Sequence, residues 1–462
     1  MKRFWSVGAL FLLLTPLLWL IFQPGFWVSD DGTWMVVRLA GFFDTLRQGQ
    51  FPVRFIYSLN HGYGYPVTNF LYPLPFYFGS VIHLTGFGFV DSVKIIFGLS
   101  VLLSGLFMYL FVKDEWGEKA GLAAAILYSY SPYKIFDLFT RGSLGEMVAF
   151  IFPPLIFYLL NKKNVSLAVL TTAALICSHN VIALLFLPVI VGFLVVKKVN
   201  FITCILYLGL SAGAAAWFWF PALYDLQFTK AGQIAVSNFR DYWLTANNFW
   251  AVLGPIVPMI IIISLIRINE KKFTFLFLIT VGSLFFALPV SEIFWKILPL
   301  PKLVQFPWRY LAVTIFGASI LTGYLLRVAN KYLLAAFILV VVLLSWPKIE
   351  RQYHPESYYV TNDDTTTVQN EYMPKWVTQA ISHKAEVKSQ KLDEKYAEIN
   401  TVYFPGVKVF AGERELEVKP SDNGLLLVDS RLDNLHISFG ETPLRLAADL
   451  ASILSVILLI FL

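Results

Sequence analysis

The chain has 462 residues, of which 57% are hydrophobic and 14% are charged, and its net charge is +6. A soluble domain usually carries about 25% charged residues, so this composition excludes an ordinary soluble globular protein. The positive charge does not indicate nucleic-acid binding, because Lys and Arg stand in short loops between apolar runs and not on one basic face. Basic loops of this kind follow the positive-inside rule of membrane proteins. The sequence therefore predicts a polytopic membrane protein.

Apolar runs of about the ~20-residue length that spans a bilayer recur along the chain. The first follows Met1-Lys2-Arg3, is longer than a signal-peptide core and has no small-x-small cleavage site after it, so we expect it to be a retained helix. Twelve runs are predicted to span the membrane, at 4–22, 93–112, 119–134, 144–160, 165–178, 180–196, 201–220, 249–266, 273–289, 307–326, 331–346 and 446–462.

The run at 71–86 is ambiguous, because it contains Pro73, Pro75 and His83 and is flanked by Tyr and Gly. It could cross the membrane or lie flat at the outer interface. If it lies flat and the N-terminus is cytoplasmic, five basic clusters fall inside, as the positive-inside rule requires. If it spans, all five clusters fall on the outer side, against the rule. We therefore predict a flat helix here, about 12 spans and cytoplasmic termini, with the basic clusters at Lys113–Lys119, Lys162/Lys163, Lys197/Lys198, Arg267–Lys272 and Arg327–Lys331.

Three segments outside the membrane are long enough to fold, at 23–92, 221–248 and 347–445. The third is polar and has strand-like runs separated by glycine turns. The predicted fold class is an α-helical polytopic membrane protein of about 12 transmembrane helices with a small extracytoplasmic β-rich domain. Its parts are a transmembrane domain over 1–346 with a first outer loop at 23–92, the β-rich domain over 347–445, and a C-terminal transmembrane helix over 446–462.

Two adjacent carboxylates, Asp30 and Asp31, follow the first helix on the predicted outer side. Such a pair can supply a general base, ligands for a divalent metal cation or a clamp for sugar hydroxyls. The plain structural alternative is a solvated helix end with an Asp that caps the next helix. Both residues are candidate catalytic groups, and they are the candidate ligands if a metal is present.

Further polar residues stand at the same predicted face. Glu146 begins a spanning helix, where a carboxylate is costly and usually functional, and Arg141 could pair with it or bind a phosphate bidentately; a purely structural ion pair is the alternative. His179 lies between two short helices and is as consistent with a structural role as with a catalytic one. Arg309 opens another span, either as a headgroup anchor or as a cation facing a phosphate. His61 in the first loop is a weaker candidate.

The predicted inner loops offer little besides Lys and Arg, and the chain has no phosphate-binding loop and no dinucleotide-binding glycine turn. Since the outer face has no supply of nucleotides, an activated substrate there would have to be carried by a lipid. A polyprenyl-phosphate sugar donor meets this requirement. These observations favour transfer of a sugar from such a donor in the cell membrane.

Motifs in a shared order strengthen this interpretation. The chain resembles the YfhO-type bacterial membrane proteins, which share features with the pyruvoyl-tetrahydropterin-synthase-related membrane proteins within the GT-C glycosyltransferase superfamily. The resemblance runs nearly end to end, through Asp31–Arg38, Gly49–Phe55, Gly62–Tyr77, Ser104–Tyr109, Leu127–Glu146, Ser178–Asn180, Gln305–Leu311, Asn370–Trp376, Tyr403–Gly406 and Phe439–Ser455.

The resemblance implies an inverting transfer in which an acidic residue of the first outer loop acts as general base or holds a divalent metal. Asp31 is the matching position. Members often have His-Asp here and a second His four residues later, whereas this chain has Asp30-Asp31 and Met35, which puts a metal site in doubt. On this reading Arg141 and Arg309 neutralise the leaving lipid phosphate. The predicted sugar-binding or site-ordering residues are His61, Glu146 and His179.

Two other functions stay open. A lipid or polysaccharide transporter would predict charges near the bilayer midplane and two related halves, and neither feature is visible. A non-catalytic envelope assembly protein could keep the fold without turnover, and the two missing histidines are compatible with it.

Overall fold

The computed structural model describes residues 2–231, 238–267, 271–379, 381, 389–391, 396–429 and 435–461. Within them the protein is mostly helical, and nearly all strands lie in its C-terminal part. The predicted cluster at Arg267–Lys272 falls partly outside the described residues.

The first third of the chain forms long helices joined by short ones. α4 has eleven residues, so at about 1.5 Å per residue it is shorter than the ~30 Å hydrocarbon core of a bilayer. The helices here are α1 (Lys2–Phe22), α2 (Gly32–Arg47), α3 (Val67–Phe70), α4 (Leu74–Leu84), α5 (Phe89–Trp116), α6 (Glu118–Tyr130), α7 (Pro132–Ile135), a π-helix (Phe136–Arg141), α8 (Leu144–Ala149) and α9 (Phe152–Asn161).

The remaining helices often begin at an Asn whose side chain accepts a backbone N–H of the first turn, as at Asn164, Asn200 and Asn330, which satisfies a donor that the helix leaves free. They are α10 (Val165–Ser178), α11 (Asn180–Val196), α12 (Phe201–Ala214), α13 (Ala216–Asp225), α14 (Phe249–Val252), α15 (Ile256–Ser264), α16 (Lys271–Ala287), α17 (Glu292–Ile297), α18 (Leu300–Leu303), α19 (Leu311–Leu326), α20 (Lys331–Leu344), α21 (Glu356–Val360) and α22 (Pro443–Leu458).

Three helical stretches among the described residues are long and apolar enough to cross a membrane, and the number rises to five if each of two bent pairs is one span. The three are Phe89–Trp116, Leu144–Asn161 and Pro307–Leu326. The protein is thus a membrane protein, and the total of about 12 spans stays a prediction.

The stretch 201–220, predicted as one continuous span, differs from this expectation: α12 and α13 meet at an angle of 74°. The Ser452 hydroxyl of α22 lies between them, accepting from Trp217 N at 2.8 Å and donating to Gly213 O at 3.0 Å. A side chain inserted into the backbone ladder is a recognised cause of a helix kink. The bend therefore has a tertiary origin that hydropathy does not reveal.

Glycines let the central helices approach closely. A Cβ on Gly121 of α6 would stand 2.7 Å from the backbone oxygen of Tyr109 in α5, and one on Gly323 of α19 would stand 2.8 Å from that of Ala120. Small residues at such crossings are typical of membrane helix packing. They fix α6 between α5 and α19.

The strands form three antiparallel groups. β1 (Phe26–Trp27) pairs with β2 (Arg351–Gln352), a four-stranded sheet has the order β3-β4-β8-β7, and a three-stranded sheet has the order β6-β5-β9. The bounds are β3 (Ser389–Lys391), β4 (Tyr396–Val402), β5 (Val407–Ala411), β6 (Arg414–Leu416), β7 (Lys419–Pro420), β8 (Leu425–Asp429) and β9 (Leu435–Phe439). The predicted β-rich C-terminal part is confirmed; its separate status as a domain over 347–445 stays a prediction.

The segment after α20 packs on the first loop. Besides the β1–β2 pairing, Tyr65 hydrogen-bonds through its hydroxyl to Thr367 Oγ1 at 2.9 Å and accepts from Tyr372 N at 3.0 Å. Phe70 and Tyr372 stack with their ring centroids 4.9 Å apart. Two stretches some 300 residues apart in the sequence thus build one surface beside α2.

Candidate functional site

Glu146 is the centre of a buried polar cluster. Its carboxylate is fully buried, and Oε1 lies 2.8 Å from Arg141 Nη1 and 3.2 Å from Arg309 Nε. Tyr133 donates its hydroxyl to Oε2 at 3.1 Å, and His179 Nε2 lies 3.6 Å from Oε1. The structure therefore brings together Arg141, Glu146, His179 and Arg309, four residues that the sequence predicted from three separate motifs.

A π-helix positions Arg141 in this cluster. The π-helix spans Phe136–Arg141 and ends at Gly142, whose φ is +64°, a conformation that favours glycine. Within it Asp137 accepts from Arg141 Nη1 at 2.6 Å. Burial and the neighbouring Glu146 carboxylate raise the pKa of Asp137 well above its ordinary value, against the effect of Arg141. These effects favour the protonated form of Asp137.

His179 joins α10 to α11 and caps the latter. Its Nδ1 accepts from Ile182 N at 3.2 Å, so the hydrogen-bond network assigns the ring proton to Nε2, the nitrogen that faces Glu146. The ring also stacks on Tyr72 with centroids 5.1 Å apart. The cap and the stacking fix the His179 ring, and its Nε2 lies 3.6 Å from Glu146 Oε1, so His179 forms part of the wall around Glu146.

Arg309 is held from two sides. It lies in the 3₁₀ turn Pro307–Tyr310, where its Nη1 donates to Val304 O and to Gln305 Oε1, both at 2.9 Å, and its guanidinium lies 4.7 Å from the centre of the Phe306 ring. Its Nη2 makes no hydrogen bond to the part of the chain that the structure describes. The same holds for Nε and Nη2 of Arg141, since the polar contacts of Arg141 run through Nη1.

Asp31 is fixed beside Arg141 by the main chain. The backbone N–H of Asp30 donates to Thr140 O at 2.9 Å and that of Asp31 to Arg141 O at 2.8 Å. The two turns touch directly, because a Cβ on Gly142 would lie 2.7 Å from the nitrogen of Gly32. Asp31 is half-buried and Asp30 is exposed. Of the two predicted catalytic carboxylates, Asp31 is the one that the fold holds next to the cationic cluster.

Opposing effects act on the Asp31 carboxyl. Burial raises its pKa above the ordinary value of 3.8, the positive charges of Arg141 and Arg38 lower it, and the Asp30 carboxylate raises it. The net shift is upward. Asp31 is therefore a stronger base than a solvated aspartate, and it is still held in a positive field.

Arg38 was not among the predicted site residues. It is 2% exposed and lies on α2, two turns after Asp31. Its Nη2 donates to Thr366 O at 2.7 Å and its Nε to Thr366 Oγ1 at 3.3 Å. The spacing of seven residues places Arg38 and Asp31 on one helix face, and this spacing is the signal that could have found it. Asp137 was also missed, although its four-residue spacing from Arg141 fits a helical pair.

His61 lies apart from the Glu146 cluster. Its Nδ1 is 3.0 Å from Asp363 Oδ1 and its backbone N–H donates to Asp363 O at 2.7 Å. It lines a separate pocket of about 250 Å³ that also includes Trp34 and Thr366. The sequence predicted that His61 lies with Arg141 and Glu146, and these contacts do not bring it to them.

The Asp30-Asp31 pair is not a zinc-type site. Over the described residues, a group of three His, Cys, Asp or Glu side chains whose ligand atoms converge occurs at His61, Asp363 and Asp364, and not at the Asp30-Asp31 pair. Zinc usually takes three or four such protein ligands, whereas Mg²⁺ is often held by one or two carboxylates and water. A metal at Asp30 and Asp31 stays a prediction, and no step of the transfer is derived through it.

No family model matches the chain. An uncharacterized protein of Lactococcus lactis subsp. cremoris (strain MG1363) is 28% identical over 239 residues, which are 47% of this chain and 38% of that protein. The chain therefore spans well under half the length of this relative.

Solved structures of similar fold come from membrane glycosyltransferases. The arabinofuranosyltransferase AftD from Mycobacteria is similar with a TM-score of 0.52 and 15% identity, over 75% of this chain and 26% of AftD. The oligosaccharyltransferase of Archaeoglobus fulgidus gives a TM-score of 0.47 and 13% identity, over 81% of this chain and 57% of that chain. At such identity the likeness to AftD concerns the fold alone, and it agrees with the mostly helical membrane fold expected from the sequence.

Proposed function

We propose that the protein is a YfhO-type glycosyltransferase of the cell membrane, which transfers a sugar with inversion from a polyprenyl-phosphate donor to an envelope acceptor on the extracytoplasmic face. The observation that carries the proposal is the surplus of positive charge beside Asp31. The similarity of fold to AftD, itself an arabinofuranosyltransferase, supports it.

The surplus charge comes from two buried arginines that share one carboxylate oxygen. Arg141 and Arg309 both bond to Oε1 of Glu146, and Arg38 nearby bonds to the neutral Thr366. Burying unpaired cations is costly, so the arrangement favours a further anion at the site. Arg141 and Arg309 have guanidinium N–H groups that no described residue accepts, and such groups match phosphate oxygens.

We assign each part of the transfer to a residue of this chain. Asp31 takes the proton of the acceptor hydroxyl, whose oxygen attacks the anomeric carbon as the bond from that carbon to the phosphate oxygen breaks. The bonding electrons leave with the lipid phosphate. Arg141 and Arg309 stabilise the negative charge that grows on it, which lowers the barrier because they are already in place. Proton transfer by a positioned base typically contributes about 10²–10⁴-fold to the rate.

Glu146 and His179 hold the arginines in place. Glu146 contacts both Arg141 and Arg309 through Oε1 and so orients them, and His179 lies beside the same oxygen. His61 and the pocket around Trp34 face another part of the first loop, where we place binding of the acceptor, a glycolipid, teichoic acid or other surface glycan.

The test is a transfer assay with the purified protein and a polyprenyl-phosphate donor carrying a radiolabelled sugar. We expect release of free polyprenyl phosphate by the natural protein, a loss of about 10²-fold or more in Asp31→Asn, and unchanged donor affinity. Asp44→Asn, an exposed position on the same helix, is the matched control. Equal rates for Asp31→Asn and Asp44→Asn would remove Asp31 from catalysis. No release from any donor would favour the non-catalytic assembly role.

A further inference from the structure

A second polar site lies beside the first loop, away from the Glu146 cluster. His61, Asp363 and Asp364 each offer one ligand atom, and these atoms all lie within 4.8 Å of one another. We propose that these three residues bind a divalent cation. The proposal concerns side chains outside the phosphate-binding cluster, so it does not rest on the proposed roles of Asp31, Arg141 and Arg309.

The ligand atoms lie close to the separations of a coordination sphere, and an adjustment of a few tenths of an ångström would bring all three onto one ion. Ligands at about 2.1 Å from an ion stand about 3.0 Å apart when they are neighbours and about 4.2 Å apart when they are opposite. His61 Nδ1 and Asp363 Oδ1 are 3.0 Å apart, the separation of two neighbouring ligands. One imidazole nitrogen and two carboxylates form a ligand set that suits Mn²⁺ or Zn²⁺.

Asn60 is an independent indication of a bound ligand. It is 1% exposed and lines the same pocket of about 250 Å³. Its amide nitrogen donates to Gly64 O at 3.4 Å, while its Oδ1 accepts no hydrogen bond from the described part of the chain. Asn60 is thus almost fully buried and lines the pocket, where its amide oxygen can accept from a water bound to a cation.

Such a cation would join two distant parts of the chain. His61 belongs to the first loop, whereas the two aspartates follow α21 and precede Thr366, the partner of Arg38. A shared ion would therefore fix the wall of the pocket next to α2. With three protein ligands it keeps open positions toward the pocket, where water or hydroxyl groups can bind.

The experiment is a Mn²⁺ titration of the chelator-treated full-length protein in detergent micelles, followed by electron paramagnetic resonance. We expect one tight Mn²⁺ per chain, at least tenfold weaker binding in His61→Ala and in Asp363→Asn, and unchanged binding in Asp31→Asn and in the exposed control Asp422→Asn.

A spectroscopic measurement on the natural protein covers the case in which a variant does not fold. Electron spin-echo modulation of bound Mn²⁺ should show the nitrogen coupling of a coordinated imidazole, from His61. Mn²⁺ should also raise the unfolding temperature of the natural protein, because a ligand that binds the native state stabilises it. Absence of a tight site, absence of the nitrogen coupling, or loss of binding in Asp31→Asn would each overturn the proposal.

Discussion

The charge on the buried Glu146–Asp137 pair can be tested by two isosteric substitutions. Glu146→Gln removes the carboxylate that Arg141 and Arg309 share, at 2.8 and 3.2 Å. Removing one partner of a buried ion pair costs about 3–5 kcal/mol. In Glu146→Gln, Asp137 can release its proton and pair with Arg141. We therefore expect a loss of unfolding free energy at the lower end of this range, about 3 kcal/mol.

Asp137→Asn is the matched variant. If Asp137 is protonated, an amide keeps its hydrogen bond, since the carbonyl oxygen still accepts from Arg141 Nη1 and the NH₂ group is as uncharged as the O–H that it replaces. The expected cost is then below about 1.5 kcal/mol, the worth of one ordinary hydrogen bond. The free energy of unfolding is measured by SDS titration in mixed micelles with circular dichroism. A cost for Asp137→Asn equal to that for Glu146→Gln would show two ionised carboxylates and refute the reasoning.

Three further predictions concern the proposed reaction and its support. Because Asp31 acts as a base only when ionised and its pKa lies above 3.8, the transfer rate should fall as the pH drops through that raised pKa; a pH–rate profile with saturating donor shows this limb, and its absence would contradict the role. Arg309→Lys keeps the charge and loses the fork of donors, so kcat/KM for the donor should fall about 10–100-fold; an unchanged value would exclude phosphate binding by Arg309. Gly142→Ala should lower the unfolding temperature more than Gly412→Ala, because the two glycines have φ of +64° and +61° but only a Cβ at Gly142 would clash with a neighbour; equal shifts would contradict close packing of the turns.

The sequence predicted much of the cluster because burial of charge inside apolar runs is conspicuous. Glu146 begins an apolar run, and Arg141, His179 and Arg309 stand at the ends of others, where a polar or charged side chain near the hydrocarbon requires a partner. The fold class followed in the same way from apolar runs and from the motifs that resemble GT-C proteins.

What the sequence could not predict depends on contacts between distant segments. The bend at Ala215 arises from Ser452, more than 200 residues away, and the partner of His61 is Asp363, about 300 residues away. Arg38 was overlooked because its neutral partner Thr366 gives no charge pattern in the sequence. Local periodicity carries no information on such pairings.

The contact between Gly32 and Gly142 has a consequence for substrate range. Since the two turns touch through main-chain atoms, the spacing between the proposed base and the phosphate-binding arginine is a property of the backbone, and no side-chain exchange in either turn can widen it. A relative that accepts a bulkier or smaller sugar must therefore differ elsewhere, in the residues that surround the sugar ring. Divergence of specificity within this fold is expected to leave both glycines in place while the surrounding loops change.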